Sequence, residues 1–563
     1  MYILGIHNCY DSGAVLFKDG ECIFAINEER LSRIKLDGEF PNKAIQACLD
    51  FAGISLNEVD VVSYAWHYRF PYEEHLHDYV KRALEIAEGG EEAKRIMLER
   101  IKIEVERSVP RREQFEKWAK EKGVTQKVEF YDHHHAHAAS AYYTSPFDEA
   151  LVFTLDAAGS FRSGTVSIGK GNKLEEISCN YTWDSLGFFY GQITDMLGFK
   201  PHRHEGKITG LAAHGNPAKC LPIMREMIYA KDGKVCAKVG KYYKPFFWQQ
   251  TDELKVVLRE FTREDIAAAV QRHTEEVISQ YVKYYVDKFG INKVACAGGI
   301  FANVRVNQCV REVPGVDDLY IFPHMGDGGL SAGACLLSAV KRDLGRWRVK
   351  QVYLGNEESD EKIKVEVNKY NDSIQLTEYS HSDLVNKVIE LLKNNTVVGL
   401  FQGRMEYGPR ALGNRTVLYH CNDKGANDWL NKRLKRTEFM PFAPVTTKEI
   451  APRCFVGWKP NHITTNFMTE CYNCTEEMKL NSPAVVHVDG TARPQIVGRD
   501  DNPFYYDIIS SWYKETGGLC LINTSFNQHE EPIVCTVEDA IESLLGDNVD
   551  CVVVNGKYII RKV

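Results

Sequence analysis

Four histidines stand within five positions of the chain, in the run HHHAHAAS at 133–140. His133 and His137 are four residues apart, so on a helix their imidazoles lie on one face and can bind one ion. The alanines that follow favour such a helix. Spacing alone leaves two interpretations open: a metal-binding pair, or histidines that are exposed or hydrogen-bonded. A metal requires further ligands from elsewhere in the chain.

Two carboxylates at strand ends are the candidate partners of this pair. Asp156 follows the apolar run ALVFTL (150–155), and Asp327 follows LYIF (319–322) in the segment PHMGDGG. Strand ends are rigid enough to hold ligand geometry. Two imidazoles and two carboxylates suit Fe2+, Mn2+ or Zn2+, and ligand type does not choose among these ions. The alternative for each aspartate is a turn residue that bonds its own backbone.

Repeated strand patterns predict the elements that position these residues. The strands YILGI (2–6) and AVLF (14–17) flank a polar turn, just as ALVFTL and GTVSIG (164–169) flank a turn at 156–160. This repetition predicts two similar halves, each with a sheet. Between them, residues 77–108 carry charges at helical spacing, which predicts solvated helices.

One strand ends in a pair of glycines, and further along the chain the composition becomes charged. KVACA (293–297) ends in Gly298 and Gly299, where exposed backbone amides can meet a phosphate or a base edge. Residues 346–372 are charged, with the strand-like runs KQVYLG and KIKVEV, and VVGLF (397–401) opens a new αβ pattern. These changes predict a first domain at 1–350, a connecting segment at 351–380 and a second domain at 381–563.

Composition also narrows the class of protein. A chain of 563 residues is too long for one core. Its net charge of -8 provides no broad basic surface, so we expect no nucleic-acid partner. The sequence opens without a cationic leader and holds no apolar run that spans a bilayer, so we expect no membrane association. The 16 cysteines are scattered, and the single C-x-x-C at Cys471 and Cys474 lacks a second pair for zinc; we expect free thiols in the cytoplasm.

Ten ordered motifs give the chain a family resemblance that covers almost its whole length. It resembles the NodU/CmcH-type O-carbamoyltransferases of nodulation-factor and antibiotic biosynthesis. The motifs are DHHHAHAAS, LDAAG, HEGKITGLAAHG (204–215), CAGGIFANVRVN (296–307), HMGDGGLSAGA (324–334), GRMEYGPRALGNRTVL (403–418), MPFAP (440–444), HVDGTARPQIV (487–497), NTSFN (523–527) and EPIV (531–534).

The resemblance implies a fold and a reaction. The fold is α/β, with a duplicated actin/Hsp70-like (sugar-kinase-like) N-terminal domain and a YrdC-like α/β C-terminal domain. The C-terminal domain is expected to make carbamoyl-adenylate from carbamoyl phosphate and ATP, with Mg2+. The N-terminal domain is expected to transfer the carbamoyl group to a hydroxyl of a small molecule or glycan, releasing AMP. A divalent ion, iron before manganese or zinc, is expected in the N-terminal domain.

The resemblance also assigns residues to roles. The implied metal ligands are His133, His137, Asp156 and Asp327. The implied catalytic residues are Asp11, His133, Lys207, Arg415, Lys435, Arg436, Arg493 and Ser525. The implied nucleotide- and carbamoyl-phosphate-binding residues are Gly298, Gly299, Asn303, Arg404, Arg410, Arg415, Arg493, Ser525 and Asn527.

These roles have a chemical basis and ordinary alternatives. Arginine binds phosphate oxygens through paired hydrogen bonds, which suits polyanionic substrates. The alternatives are a solvated or ion-paired side chain for each cation, a surface lysine for Lys207, and turn caps for Ser525 and Asn527.

Three positions depart from the common family pattern. Tyr10 stands where many relatives have histidine, Met440 where they have arginine, and Glu530 where they have glycine. The first change leaves open the identity of the acceptor and the catalytic role of a histidine at that position. With the second change, one phosphate contact is either missing or supplied by Lys435 or Arg436. Two alternative functions are protein carbamoylation in hydrogenase maturation, whose acylphosphatase domain and paired C-x-x-C motifs this sequence does not show, and a non-catalytic nucleotide-binding module. Whether the chain forms a homodimer stays open.

Overall fold

The computed structural model describes residues 1–66, 73–435 and 442–563. These residues form two compact units: Met1–Ile23 with Gly38–Val349, and Phe24–Asp37 with Lys350–Val563. The second unit thus includes Phe24–Asp37, a segment that the sequence-based division placed in the first domain. No helix in the described ranges is long and apolar enough to cross a bilayer. Arg436 and Met440 lie outside the described residues.

Two five-stranded sheets in the first part of the chain share one topology. In the first sheet β1 pairs antiparallel with β2 and parallel with β4, and in the second β6 pairs antiparallel with β7 and parallel with β11. The strand orders β3-β2-β1-β4-β5 and β8-β7-β6-β11-β12 therefore correspond, which confirms the predicted duplication. The strands are β1 (Tyr2–His7), β2 (Gly13–Lys18), β3 (Glu21–Asn27), β4 (Val61–Tyr64), β5 (Val128–Phe130), β6 (Glu149–Gly159), β7 (Arg162–Lys170), β8 (Lys173–Tyr181), β11 (Lys293–Ala297) and β12 (Asp318–Ile321), with a separate hairpin of β9 (Ile228–Lys231) and β10 (Lys234–Ala237).

Two helices pack against each other between these sheets. Helix α5 (His133–Thr144) packs on β6 and β11, whereas helix α12 (Leu330–Val340) packs on β1 and β4 and on α5. The helices approach closely because a side chain at Gly333 would lie 2.0 Å from the carbonyl oxygen of Ala136. The helices up to Val340 are α1 (Glu28–Ser32), α2 (Asn42–Ala52), α3 (Glu73–Ala87), α4 (Glu91–Glu121), α5 (His133–Thr144), α6 (Leu186–Met196), α7 (Glu205–Ala212), α8 (Leu221–Arg225), α9 (Asp252–Leu258), α10 (Arg263–Phe289), α11 (Val304–Arg311) and α12 (Leu330–Val340).

The second unit is built on one mixed sheet of eight strands in the order β13-β22-β21-β14-β15-β20-β16-β19. Its strands are β13 (Ile374–Glu378), β14 (Val398–Phe401), β15 (Arg415–His420), β16 (Ala443–Thr447), β19 (Gln495–Val497), β20 (Leu521–Ser525), β21 (Cys551–Val554) and β22 (Tyr558–Lys562), with a separate pair of β17 (Tyr472–Asn473) and β18 (Thr491–Ala492). Its helices are α13 (Asp360–Asn368), α14 (His381–Lys393), α15 (Ala426–Arg433), α16 (Ala451–Cys454), α17 (Glu476–Asn481), α18 (Pro503–Thr516) and α19 (Val537–Leu545). The predicted α/β fold class is confirmed.

Two local predictions were wrong. The run KIKVEV forms helix α13, not a strand, because Ser359 caps it and Ile363 and Val367, four residues apart, are both buried. The turn predicted from Asp156 is the end of β6, where the register with β7 shifts after Leu155. Such a β-bulge re-aims the side chains that follow it.

Candidate functional site

Helix α5 begins at the first histidine of the predicted pair. Asp132 caps it by accepting the backbone N–H of His135 at 3.1 Å, and Arg162 in turn pairs with Asp132. This start places His133 and His137 on the buried face of the helix, where both are fully buried. His135 is exposed, whereas His134 is buried and contacts the hydroxyl of Thr154 at 2.9 Å.

Both predicted carboxylates converge on these histidines. Asp156 accepts the N–H of Ala157 at its Oδ1, and its Oδ2 lies 3.4 and 3.3 Å from the Nε2 atoms of His133 and His137. Asp327 Oδ1 lies 3.8 and 3.5 Å from the same two nitrogens. The ligand atoms of all four residues lie within 4.8 Å of one another. The sequence-based grouping of these residues is therefore matched by their geometry.

The donor atoms of this cluster fit a divalent ion. Bonds of about 2.0–2.2 Å to one ion separate neighbouring ligand atoms by roughly 3.0–3.6 Å, close to the distances above. Within the described ranges the two Nε2 atoms and Asp156 Oδ2 are buried without a hydrogen-bond partner. Buried polar atoms rarely stay unsatisfied, so the cluster has the chemistry of a metal site.

The charges of the cluster support the same conclusion. Burial would lower the pKa of His137, but the two carboxylates raise it to about 9. Burial and the charge of Asp156 raise the pKa of Asp327. Without a metal, a proton therefore stabilises two carboxylates that repel each other, and a divalent cation can take over that role.

The other predicted residues of the first unit lie around this cluster or along its strand exits. Asp11 Oδ2 lies 3.6 Å from His324 Nε2, in the loop that carries Asp327. Gly298 has φ +107°, and a Cβ there would lie 2.3 Å from the carbonyl oxygen of Leu155. Only glycine fits that close approach, which brings the β11 exit against the Asp156 strand.

Two predicted residues are more constrained than their motifs suggest. The Asn303 side chain caps α11 and donates to Gln271 Oε1 at 2.8 Å, so its amide is engaged within the protein. Lys207 on α7 is 6% exposed and is not the surface lysine of the alternative interpretation. Gly299 lies directly beside the Asp156 carboxylate, since a Cβ there would lie 3.0 Å from Asp156 Oδ1.

In the second unit, hydrogen bonds join three of the predicted motifs. Gln495 Nε2 donates to the Leu412 carbonyl at 2.8 Å, and Asn523 Nδ2 donates to the Ala411 carbonyl at 3.1 Å. The loop that carries Arg410 is thereby held against the strands next to Arg493 and Ser525. These motifs are far apart in sequence and come together in one region of the unit.

The arginines of this region divide into two groups. Arg410 and Arg493 are partly exposed, as a substrate contact requires. Arg404 donates to the carbonyls of Leu354 and Gly355. Arg415 is fully buried: Nη1 donates to the carbonyls of Gln402 and Asn414, and Nη2 to those of Asn356 and Gly403. The geometry of Arg415 is that of an arginine that organises loops, because four of its five N–H groups are already bonded to the main chain.

Of the other predicted residues of this unit, Ser525 and Asn527 hydrogen-bond within their own loop. Ser525 Oγ donates to Asn527 Oδ1 at 2.6 Å, and Asn527 Nδ2 donates to the Glu531 carbonyl at 2.6 Å. Lys435 is exposed. Glu530 has φ +64°, the left-handed region that glycine favours, so the departure from the family pattern retains the backbone conformation at some strain.

Comparison with known proteins decides the family. A model described as carbamoyltransferase N-terminus matches residues 2–336, and one described as carbamoyltransferase C-terminus matches residues 389–562. The chain belongs to the carbamoyltransferase family. It is therefore a transferase enzyme, and the predicted membership is confirmed.

Relatives of this carbamoyltransferase are similar over most of their length. Nodulation protein NolNO of Sinorhizobium fredii is 31% identical over 568 residues, which cover 98% of this chain and 79% of the relative. An uncharacterized protein of Methanocaldococcus jannaschii is 32% identical over 573 residues and covers both chains fully. A crystal structure of full-length HypF in the phosphate- and nucleotide-bound form aligns with a TM-score of 0.37 and 14% identity over 62% of this chain, a similarity too weak to assign any feature here.

Several residues beside the candidate metal centre were not predicted from the sequence. His7 is fully buried at the end of β1, and burial lowers its pKa. Its ring nitrogen, the thiol of Cys9 and a carboxylate oxygen of Asp327 lie within 4.8 Å of one another. Trp66 packs edge-on against His133 with ring centroids 4.8 Å apart. The only sequence signal for His7 and Cys9 was their place in the same turn as Asp11.

Glu406 is the missed residue of the second unit. Its Oε1 accepts the N–H groups of Leu412, Asn414 and Arg415 at 2.7, 2.8 and 3.1 Å, so one buried carboxylate shapes the arginine-bearing loop. It lies inside the motif EYGPRALGNR, where its acidic side chain was the available signal.

Replacing Arg415 with alanine should destabilise the second unit by about 3–5 kcal/mol, because four main-chain carbonyl oxygens, two of them in buried and two in part-buried hydrogen bonds, lose their donors. Urea unfolding followed by circular dichroism measures the loss. Arg453→Ala is the matched control, since Arg453 is 44% exposed in a surface ion pair with Glu477 and should cost less than about 1 kcal/mol. Equal effects of the two changes would contradict the structural role of Arg415.

Proposed function

We propose that this chain is an ATP-dependent O-carbamoyltransferase that uses carbamoyl phosphate. The observation that carries the proposal is the convergence of His133, His137, Asp156 and Asp327 in a chain that both carbamoyltransferase models match. The arginine-rich loops of the second unit add a region suited to anionic substrates. The acceptor is a hydroxyl on a small molecule or glycan.

The reaction has three steps, two in the second unit and one in the first. In the second unit, carbamoyl phosphate and water give carbamate and phosphate, and a carbamate oxygen then attacks the α-phosphorus of Mg2+-bound ATP. This forms carbamoyl-adenylate and expels pyrophosphate. In the first unit, the acceptor oxygen bonds to the carbamoyl carbon, the bond from that carbon to the adenylate oxygen breaks, AMP leaves with the electron pair, and the hydroxyl proton passes to a base or to water.

The residues of the first unit have distinct tasks in the transfer step. The four clustered ligands would hold a divalent ion, with Fe2+ preferred over Mn2+ or Zn2+. When bound, such an ion polarises a carbonyl or phosphoryl oxygen as a Lewis acid. Gly299 would let the main chain approach the adenylate beside Asp156, whereas the amide of Gly298 already donates to the Met325 carbonyl at 2.6 Å. Asp11 and Lys207 lie in the motifs that flank this centre and would orient the acceptor and the adenylate.

The second unit would bind the phosphates through its partly exposed cations. Arg410 and Arg493 are the side chains we assign to direct contact, whereas Arg404 and Arg415 hold the loops. Ser525 and Asn527 form a short pair of polar side chains at the end of β20 that can donate to phosphate oxygens. A local cluster of cations also concentrates anionic substrates near an otherwise acidic protein.

Formation of pyrophosphate from ATP tests the proposal. The full chain with Mg2+ should release pyrophosphate only when carbamoyl phosphate is present, and acetyl phosphate is the matched control. Addition of an acceptor should then yield AMP and carbamoylated product in equal amounts. Transfer without ATP, or pyrophosphate release that ignores carbamoyl phosphate, would contradict the proposed reaction.

A further inference from the structure

A wall of four rings leads away from the Asp327 loop within the first unit. Its members are Tyr10, His202, Phe247 and Trp248, and we call them the aromatic wall. The ring centroids of Tyr10 and His202 are 4.6 Å apart, those of His202 and Phe247 are 3.9 Å apart, and those of Phe247 and Trp248 are 5.5 Å apart. Trp248 ends the wall and is 54% exposed, an unusual exposure for so large an apolar side chain.

The inner end of the wall touches the metal-ligand loop. Tyr10 precedes Asp11, and a Cβ at Gly328 would lie 2.4 Å from Asp11 Oδ2. Because Gly328 directly follows Asp327, the Asp11 carboxylate, one residue after Tyr10, lies against the segment that supplies a ligand. The packed rings therefore connect the exposed Trp248 with the segment that supplies Asp327.

The wall is also fixed to the Asp156 side of that centre. Phe247 packs on Phe188 of α6, with ring centroids 4.7 Å apart. Helix α6 is capped by Ser185, whose hydroxyl donates to the Asp156 carbonyl at 3.2 Å. The Tyr10 hydroxyl donates to the His202 carbonyl at 2.9 Å, which holds the first two rings together. These contacts hold the rings next to Trp248 in place, and a pre-organised side chain loses less entropy on binding.

A cation stands over the exposed end of the wall. The guanidinium carbon of Arg107, on α4, lies 5.9 Å from the Trp248 ring centroid. Arg107 is exposed and, within the part of the chain that the structure describes, makes no ion pair. Partial desolvation and the neighbouring charges of Arg100 and Arg111 lower its pKa, so an anion beside it would be stabilising.

We propose that Trp248 and Arg107 form the acceptor subsite of this enzyme and bind a sugar ring that carries an anionic substituent. The apolar C–H face of the ring would lie on the indole, its edge hydroxyls would stay free to reach the centre, and a carboxylate or phosphate would bind the guanidinium. This inference rests on the proposed function, because it names the class of acceptor for that same transfer. The acceptor class is then an acidic sugar, a subset of the hydroxyl compounds named above.

Direct binding tests this subsite without the reaction. Saturation-transfer NMR on the full chain, with neither ATP nor carbamoyl phosphate, would compare glucuronate, glucose 6-phosphate, glucose and glucosamine. We expect the acidic sugars to bind about fivefold more tightly than glucose, and glucosamine to bind more weakly than glucose. The order of glucuronate and glucose 6-phosphate tells a carboxylate-bearing acceptor from a phosphate-bearing one.

Variants separate the two contacts. Trp248→Ala should weaken binding of all the sugars about tenfold, whereas Arg107→Gln should remove only the preference for the acidic ones. Trp429→Ala is the matched control, because Trp429 is 43% exposed with the Arg433 guanidinium carbon 5.5 Å from its ring, and lies in the second unit. It should bind like the unchanged protein.

The outcomes that overturn the inference are distinct from those that overturn the proposed function. Sugar binding that survives Trp248→Ala, or an equal loss with Trp429→Ala, would refute the subsite. So would binding of glucose as tight as that of glucuronate and glucose 6-phosphate. Failure of the unchanged protein to release pyrophosphate from ATP with carbamoyl phosphate would refute the proposed reaction while leaving the binding results as they are.

Discussion

Replacing His137 or Asp327 with alanine is expected to remove the bound metal and to abolish carbamoyl transfer. Each change deletes a ligand whose donor atom lies 3.5 Å from the other. After either change only three of the four ligand residues remain to hold the ion. Metal content of the purified protein should fall from about one ion per chain to below about a tenth, since even changes in residues behind the ligands cost 10–100-fold in affinity. Inductively coupled plasma mass spectrometry measures the occupancy.

A neighbouring histidine provides the control for this experiment. His135 lies on the same helix, but its side chain is exposed and outside the cluster. His135→Ala should keep both metal and transfer activity, and circular dichroism should show that all three variants are folded. Full metal occupancy in both His137→Ala and Asp327→Ala would rule out the ligand assignment.

The two half-reactions are expected to respond to different substitutions. Arg493→Gln should lower the rate of pyrophosphate release by about 100-fold or more, because a phosphate-binding cation is lost, while metal content stays unchanged. His133→Ala should leave pyrophosphate release largely intact and stop transfer to the acceptor. Pyrophosphate release and product carbamoylation, measured on the same preparations, separate these effects.

The choice of arginine matters in this comparison. Arg415 also lies in the motif, but it is fully buried on main-chain carbonyls, so its removal would confuse catalysis with stability. Arg493 is partly exposed and avoids that problem. Arg499→Gln is the matched control, because Arg499 is 68% exposed and pairs with Asp507. If Arg493→Gln and His133→Ala each impaired both steps equally in folded protein, the division of labour would be wrong.

The sequence by itself determined those features that depend on short-range periodicity. The i, i+4 spacing of His133 and His137 requires a helix to bring them together, and the structure has that helix. Short apolar runs likewise predicted β1, β6, β11 and β14, and the repeated strand–turn–strand pattern predicted the duplicated sheets. Long ordered motifs identified the family, because many residues in one order rarely coincide by chance.

Only the tertiary structure decided which polar side chains are available for chemistry. Arg415 and Arg493 look alike in sequence, yet one is consumed by carbonyl oxygens from distant loops and the other is partly exposed. KIKVEV reads as a strand, but burial of Ile363 and Val367 on one face makes it a helix. The structure likewise shows that Phe247 is buried whereas its neighbour Trp248 is 54% exposed. In each case burial and hydrogen bonding depend on residues far away in the chain, and short-range patterns carry no information about such partners.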